Sequence, residues 1–376
     1  MSIQRILFCA EGQLGDLLLL TPALRATRES FSRSRITVLV VQRRRYGANG
    51  GSPGGVLHHS SGEGTAAVMT DSAYVDEVIE VDRPLIRSLK GLARLRAEWE
   101  IVRFLRKAKP DLVFCTFPQD RFVLWAFLSG APLRVGQKRQ GLSRLLTIAP
   151  DLERGRGGVL RYYADLAAAA GADVRHYGTE YSVPEPARAW AEELLRAGGV
   201  RGTVPLVAVH PGATGPYKVW PPERFAALID GLQASGVARV ILSGSDFDRE
   251  IVRSVREHLT SGVLEVNPGG SVARLAALLE RCALTVANDS GPRHLSLAVG
   301  TPALAIISRF QDREWGIPEY GKSSVLLQGA GICPDCPEGE CNNIVPPGEK
   351  YGSTCMRMIS VEEASAMVRV QLGAVT

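Results

Sequence analysis

Leu284-Thr-Val-Ala-Asn-Asp-Ser-Gly-Pro-Arg-His294 is followed by a helix-length stretch to Gly300 and then by Thr301-Pro302-Ala-Leu-Ala-Ile-Ile-Ser308. The apolar run Leu284 to Ala287 has the length of a buried strand, Asn288-Asp289 breaks it, and a β-branched run resumes after Pro302. The segment reads as strand, loop, helix, strand. Asp289 or Ser290 can cap the helix, and Pro292 suits its first turn. Gly300 suits the left-handed position past its end, with Pro302 blocking continuation. In an open parallel sheet such a helix start lies at the crevice where ligands bind. Its unpaired N–H groups and positive dipole end favour an anion, and Gly291 lets that anion approach the backbone. A pyrophosphate fits there. A well-capped helix with no ligand fits the same residues, so the rest of the chain has to decide.

Around this segment, strand-like runs near 206–210, 239–243, 263–266, 303–308 and 325–328 alternate with helical patterns at about 222–235, 247–259 and 271–281. That alternation is a doubly wound α/β unit. The N-terminal part opens in the same way: Arg5 to Ala10 as a strand, Glu11-Gly-Gln-Leu-Gly-Asp16 as a turn, Leu17 to Phe31 as a helix and Ile36 to Val41 as the next strand. Gly12 and Gly15 lack the full dinucleotide-binding spacing, and Asp16 taken alone is a helix-start carboxylate. Val78 to Val81 and Leu112 to Thr116 continue the sheet, Ser88 to Lys107 is a basic amphipathic helix, and helical patterns cover 121–128 and 159–170. Between them, Arg43 to Ser72 is glycine-rich with little apolar periodicity and is expected to be a mobile loop, its His58-His59 pair facing solvent. Pro184 and Pro186 mark a linker. Two domains are therefore expected, 1–180 and 187–359, with a closing helix in 360–376 that can pack back across the junction.

For 376 residues, 45% hydrophobic and 22% charged, two soluble domains are the natural division. No run approaches the roughly 20 apolar residues of a membrane span, and Met1 onward is not a basic, apolar leader, so a cytoplasmic protein is expected. The net charge of +5 is unevenly placed: residues 1–150 hold 22 Lys/Arg against 13 Asp/Glu, and the remainder 22 against 26. The basic half suits an anionic partner. No nucleic-acid-binding motif accompanies it, which favours an acidic lipid or glycolipid surface with peripheral membrane contact.

Cys333-x-x-Cys336, Cys341 and Cys355 supply four thiolates of the kind that hold a closed tetrahedral zinc or iron, stapling the Pro/Gly-rich stretch Pro334 to Gly352. Cysteines retained without metal are the alternative. Cys9, Cys115 and Cys282 sit in apolar contexts and read as packing residues.

The loop after the strand at 206–210 reads His210-Pro-Gly-Ala-Thr214-Gly-Pro-Tyr-Lys218-Val-Trp220-Pro221, where a lysine can reach a phosphate while Trp220 and Phe225 anchor the loop. Taken in order, Gly15-Asp16 with Thr21-Pro22-Ala23-Leu24, then His210-Pro-Gly-Ala with Lys218-x-Trp220-Pro221 and Arg224-Phe225, then Asn288 to Leu295 with Gly300-Thr301-Pro302 resemble the heptosyltransferases of glycosyltransferase family 9 over nearly the whole chain. The resemblance implies a GT-B architecture, two Rossmann-like domains facing across a cleft, the acceptor on the first and the nucleotide-sugar on the second. It implies inverting transfer of heptose from ADP-heptose to the lipopolysaccharide inner core with no cofactor in catalysis. Carried to matching positions, Asp16 is the base that deprotonates the acceptor and Lys218 stabilises the leaving diphosphate. Asp289, Ser290, Gly291 and His294 line the donor pocket, with Gly15, His210, Thr214, Ser243 and Gly244 as further substrate contacts. The chain has Ser243-Gly244-Ser245-Asp246 where the family often has Gly-Gly-x-x-Glu. Another nucleotide-sugar, a protein acceptor, a sugar-nucleotide epimerase, or a non-catalytic nucleotide-sugar-binding scaffold are the competing readings.

Overall fold

The computed structural model describes residues 3–42, 55–139, 141–152, 158–200, 202–308, 323–328 and 344–373. The chain divides into two compact units, Met1–Ser182 and Val183–Thr376. Each is built on a six-stranded sheet.

In the first unit the strands are β1 (Arg5–Glu11), β2 (Arg35–Gln42), β3 (Leu57–His59), β4 (Glu77–Asp82), β5 (Leu112–Cys115) and β6 (Leu133–Val135), ordered β3-β4-β2-β1-β5-β6. All pairs are parallel except β3 with β4. Central parallel strands are covered on both faces, which is why β1 is a continuous apolar run instead of an alternating one. Ile6 to Ala10 are each at most 2% exposed. The helix Leu14–Ser30 follows β1 and buries Leu17 to Leu20 completely. Pro22 lies inside it and cannot donate to the carbonyl of Leu18. The Thr21 hydroxyl donates to that carbonyl instead, at 2.7 Å, and keeps the helix intact.

In the second unit β7 (Leu206–His210), β8 (Arg239–Ser243), β9 (Leu264–Val266), β10 (Leu284–Asn288), β11 (Ala303–Ile307) and β12 (Ser324–Gln328) lie in the order β12-β11-β10-β7-β8-β9, all parallel. Counted along the chain within each unit, the parallel strands follow the 3-2-1-4-5 succession of Rossmann-type sheets, extended to a sixth strand in the second. The closing helix Val361–Gln371 buries Ala364 and Val368 in the second unit's own core, together with Leu228, Ile229 and Met356.

The expectation of a loop over 43–72 is corrected in its later part. Leu57 to His59 pair antiparallel with Val81 to Ile79, and Ala67–Thr70 forms one helical turn with Ala66 to Met69 buried. These residues carry no helical or strand period of their own; the free edge of β4 and the apolar cover over the helix Leu14–Ser30 supply their order. Residues 43–54 lie outside the described part. Among the described residues no helix is long and apolar enough to cross a membrane.

Candidate functional site

In the second unit the chain leaves β7 toward β8 on one side and β10 toward β11 on the other, so the carboxyl ends of β7 and β10 flank a topological switch point, where open α/β sheets bind ligands. Asn288, the last residue of β10 and fully buried, bridges it. Its Oδ1 accepts from the Trp220 backbone N–H at 3.0 Å and its Nδ2 donates to the Pro211 carbonyl at 2.7 Å. Both ends of the 211–220 loop are thereby fixed. Trp220 packs edge-on to Phe225 with centroids 5.0 Å apart, and its Nε1 donates to the Ile359 carbonyl at 3.0 Å. The N–H groups of Gly352 and Ser353 donate to the carbonyls of Pro216 and Tyr217 at 2.9 and 3.0 Å. Lys218 ends the short 3₁₀ turn held by this strap.

Lys218 Nζ lies 3.8 Å from Asp289 Oδ2, and Arg293 Nη1 lies 3.2 Å from Asp289 Oδ1. Arg293 is 1% exposed and also donates to Ser324 Oγ at 3.3 Å. Among the described residues one carboxylate thus faces two cations, in a low-dielectric setting that strengthens both interactions. His294, one residue on, is buried, and its Nδ1 meets no hydrogen-bonding partner among the described residues. Burial first, then the charges of Arg293 and Lys218, push its pKa down to about 3, so the ring is neutral at physiological pH.

Neither Asp289 nor Ser290 caps the helix Gly291–Ala298 with its side chain, contrary to expectation: Ser290 holds the N-cap position without a side-chain cap bond, and Asp289 turns to the two cations. Among the described residues no side chain occupies the cap, and a helix start of this kind suits an anion. Gly300 takes φ +85° just past the helix end, as its position implied.

His210 closes β7. Its Nδ1 lies 3.2 Å from Ser243 Oγ and its Nε2 3.4 Å from Asp248 Oδ2, which also accepts from the N–H and hydroxyl of Ser245 at 2.9 and 2.6 Å. Burial alone would raise the Asp248 carboxyl, but His210 and the Ser245 hydrogen bonds hold it down at about 2. Gly212 is required here, since a Cβ would stand 2.0 Å from Asp248 Oδ1. Ser243 is 0% exposed, and among the described residues its hydroxyl meets His210 and main chain, whereas Thr214, on the loop after β7, is exposed. Beside them a cavity of about 310 Å³ opens at the carboxyl ends of β8 and β9, lined by Gly244, Ser245, Arg249, Val252, Val266 and Asn267 among others.

The first unit has its own switch point between β1 and β5. Glu11, the last residue of β1 and fully buried in its side chain, bridges it through Gln119 Nε2 at 2.9 Å and pairs with Arg83 at 3.2 Å. The following loop is tightly braced. Gly12 N donates to Val41 O, Thr65 Oγ1 donates to Gly12 O at 2.7 Å, and a Cβ on Gly12 would meet Gln42 Oε1 at 2.8 Å. Gln13 is the N-cap, which places Gly15 second and Asp16 third in the helix Leu14–Ser30; Asp16 is 5% exposed.

Sequence reading overlooked Asn288 as a bridge, together with Arg293, Asp248 and the set Glu11, Arg83 and Gln119. Of these only Asp248 carried a local signal, the Ser245-x-x-Asp248 capping box. Cys333, Cys336 and Cys341 lie outside the described residues. Cys355 is buried, with its Sγ 3.3 Å from Ser353 Oγ. Cys9, Cys115 and Cys282 are buried, and burial pushes their thiols up, to about 12 for Cys9 and Cys282, which makes them inert packing residues.

Two Rossmann-like units, with an anion-receptive helix start and a lysine at one switch point and carboxylates at the other, define a glycosyltransferase of the GT-B class. The family model of glycosyltransferase family 9 (heptosyltransferase) matches residues 123–341, more than half of the chain, and the protein belongs to that family. It is similar to lipopolysaccharide heptosyltransferase 3 of Escherichia coli, 22% identical over 310 residues, 80% of this chain and 82% of that protein. Among solved structures, a family 9 glycosyl transferase from Veillonella parvula superposes with a TM-score of 0.76 at 24% identity, covering 100% of this chain and 99% of the other. The E. coli heptosyltransferase WaaC, solved with ADP-2-deoxy-2-fluoro heptose, superposes with a TM-score of 0.66 at 18% identity over 98% and 99% of the two chains.

Proposed function

We propose that this protein transfers a heptose, with inversion, from ADP-heptose to a hydroxyl of an anionic glycolipid, the inner core of lipopolysaccharide, at the cytoplasmic face of the inner membrane. The observation that carries the reading is the placement of Lys218 beside the Gly291 helix start in the second unit. Lys218 and Arg293 both face Asp289, the Gly291 helix start has no side-chain cap among the described residues, and His294 is neutral. A leaving diphosphate gains negative charge as the glycosidic bond breaks, and preorganised donors aimed at that charge lower the barrier. Lys218 supplies the charge, the helix start supplies N–H groups, and His294 offers a polar ring nitrogen without adding charge. His210, Ser243 and Asp248 hold the loops that carry these groups, with Gly244, Ser290 and Thr214 along the ligand's path. Asp16 acts as the general base, taking the proton of the attacking hydroxyl, while Gly15 keeps the backbone beside it open to the acceptor. No metal enters these steps.

The similar WaaC structure, solved with an ADP-heptose analogue, supports the donor half of the reading. Mass spectrometry after incubation with ADP-heptose and a truncated inner-core glycolipid is expected to show the gain of one heptose. Transfer from a different nucleotide-sugar alone would overturn the donor, and transfer to protein alone the acceptor.

The cysteines are assigned a separate, structural role: soft thiolates from Cys333, Cys336, Cys341 and Cys355 suit zinc or iron, and burial of Cys355 is compatible with a closed site. Metal analysis should find about one such ion per chain, and Cys355→Ser should release it and lower the melting temperature. Metal-free protein of undiminished stability would remove this assignment.

A further inference from the structure

The helix Gly91–Ala108 of the first unit turns an unusual face to solvent. Leu92 is 72% exposed, Leu95 65% and Trp99 49%. Scattered apolar exposure is ordinary, but these three recur at i, i+3 and i+7 and fall within about 60° of one another on the helix. The opposite side packs Ala97, Ile101 and Leu105 into the core, so the apolar stripe is the outward pole of the helix. Beside it, on the same outward side, run the exposed cations Arg96, Arg103 and Lys107. Residues 87–109 hold eight Lys/Arg and two Glu. Of the two, Glu98 is turned toward the neighbouring helix Asp120–Leu128, accepting from Trp125 Nε1 at 3.0 Å and pairing with Arg121 at 3.4 Å. Glu100 is exposed beside Arg96 and Arg103, so the stripe is edged by three cations and one carboxylate. Arg106 stacks over Trp99 at 5.2 Å and donates to the Leu128 carbonyl, where the neighbouring helix adds exposed Phe127.

We propose that this face docks on an anionic phospholipid bilayer, with Leu92, Leu95 and Trp99 entering the headgroup boundary and the flanking cations meeting lipid phosphates. A helix with a leucine and tryptophan stripe edged by Lys/Arg has the composition that lies in a membrane interface. Charge complementarity selects the anionic lipid, as each cation near such a surface adds attraction that salt screens. The placement agrees with topology. The chain passes from the end of β4 through Arg83–Ser88 into this helix and then to the start of β5, so Leu92 and Leu95 lie toward the carboxyl rim of the sheet, the rim that also carries Asp16. Docking there holds a lipid-borne acceptor near that rim. The inference goes beyond the transfer reading and rests on it only for the lipid character of the acceptor.

The test is co-sedimentation of the full chain with vesicles of phosphatidylcholine alone and of phosphatidylcholine with phosphatidylglycerol. Binding is expected only to the anionic vesicles, falling with added salt, with a blue shift of tryptophan emission that Trp99→Phe removes. Leu92→Ser with Leu95→Ser and Trp99→Ser should lower the partition coefficient at least tenfold, and Arg96→Gln with Arg103→Gln and Lys107→Gln should do likewise. These residues are exposed, and an unchanged melting temperature confirms that both variants fold. Absence of vesicle binding by the folded wild type, or binding indifferent to both variants, would overturn the proposal. So would sedimentation velocity showing that the face joins two copies of the chain, with the serine variant monomeric. Partitioning is read without any sugar transfer, and transfer to a detergent-dispersed acceptor is expected to survive both variants, so failure of the transfer reading and failure of the docking reading are separate results.

Discussion

The two switch points make an instructive pair. In each unit the last residue of a central strand reaches across the switch with a polar side chain: Glu11 from β1 to Gln119, Asn288 from β10 to Pro211 and Trp220. The scaffold is the same, but the bridging groups differ in charge. A carboxylate bridges the first unit, Arg83 answers it, and Asp16 stands in the first turn of the helix that follows. A neutral amide bridges the second, and beside it Lys218 and Arg293 share the carboxylate of Asp289 at the start of the next helix. One strand order thus carries two different sets of polar groups, and the difference lies in a few residues at strand ends.

The comparison breaks most visibly at Asp16. Asp16→Asn keeps size and polarity in the first helical turn. It is expected to cut turnover about a hundredfold or more, the scale of a lost general base, with ADP affinity and melting temperature near wild type. A stability loss with turnover per folded molecule intact would make Asp16 a structural carboxylate. Next in size is Lys218→Ala. Removing a charge aimed at the leaving group should slow transfer by roughly a hundredfold, and little stability should go with it, since the ion pair with Asp289 is long at 3.8 Å. Equal rates for both proteins would return Lys218 to an ordinary loop lysine.

Asn288→Ala tests the neutral bridge. It leaves the Trp220 N–H and the Pro211 carbonyl buried without partners, at a cost on the order of 3 kcal/mol, readable as a lower denaturant midpoint at unchanged slope. The smallest effect is in acid. An unfolded histidine takes a proton near 6.5, whereas buried His294 does so only near 3. Between those values the unfolded state binds more protons, so stability falls as pH drops, by about 1 kcal/mol at pH 5.5. His294→Gln should flatten that part of the profile, and an unchanged slope would place the proton uptake elsewhere.

Much of this pairing is legible from the sequence where the signal is local. The apolar run before Asn288, Pro292 near the helix start and Gly300 past its end define strand, helix and stop within seventeen residues, and the structure places Gly300 at φ +85°. The loop lysine and its Trp220 anchor are likewise visible as a pattern. What escapes is anything decided by partners far along the chain. Asn288 meets Trp220 across 68 positions and Glu11 meets Gln119 across 108, and no window of sequence contains either pair. Leu57 to His59 become a strand only because β4 offers an edge. Asp289 looked like a cap because caps are local, whereas the cations that claim it are decided by tertiary packing.

The strap on the Lys218 loop also sets a timetable. Trp220 waits for the carbonyl of Ile359, 139 residues later, and Pro216 and Tyr217 wait for Gly352 and Ser353. At a translation rate of about 5–20 residues per second, the ribosome needs roughly 7–30 s to supply those partners. During that interval the strands of the second unit can assemble, with Asn288 fixing the ends of the Lys218 loop and the strap still to come. The nascent chain can therefore complete most of its second sheet before the strap closes over the Lys218 loop.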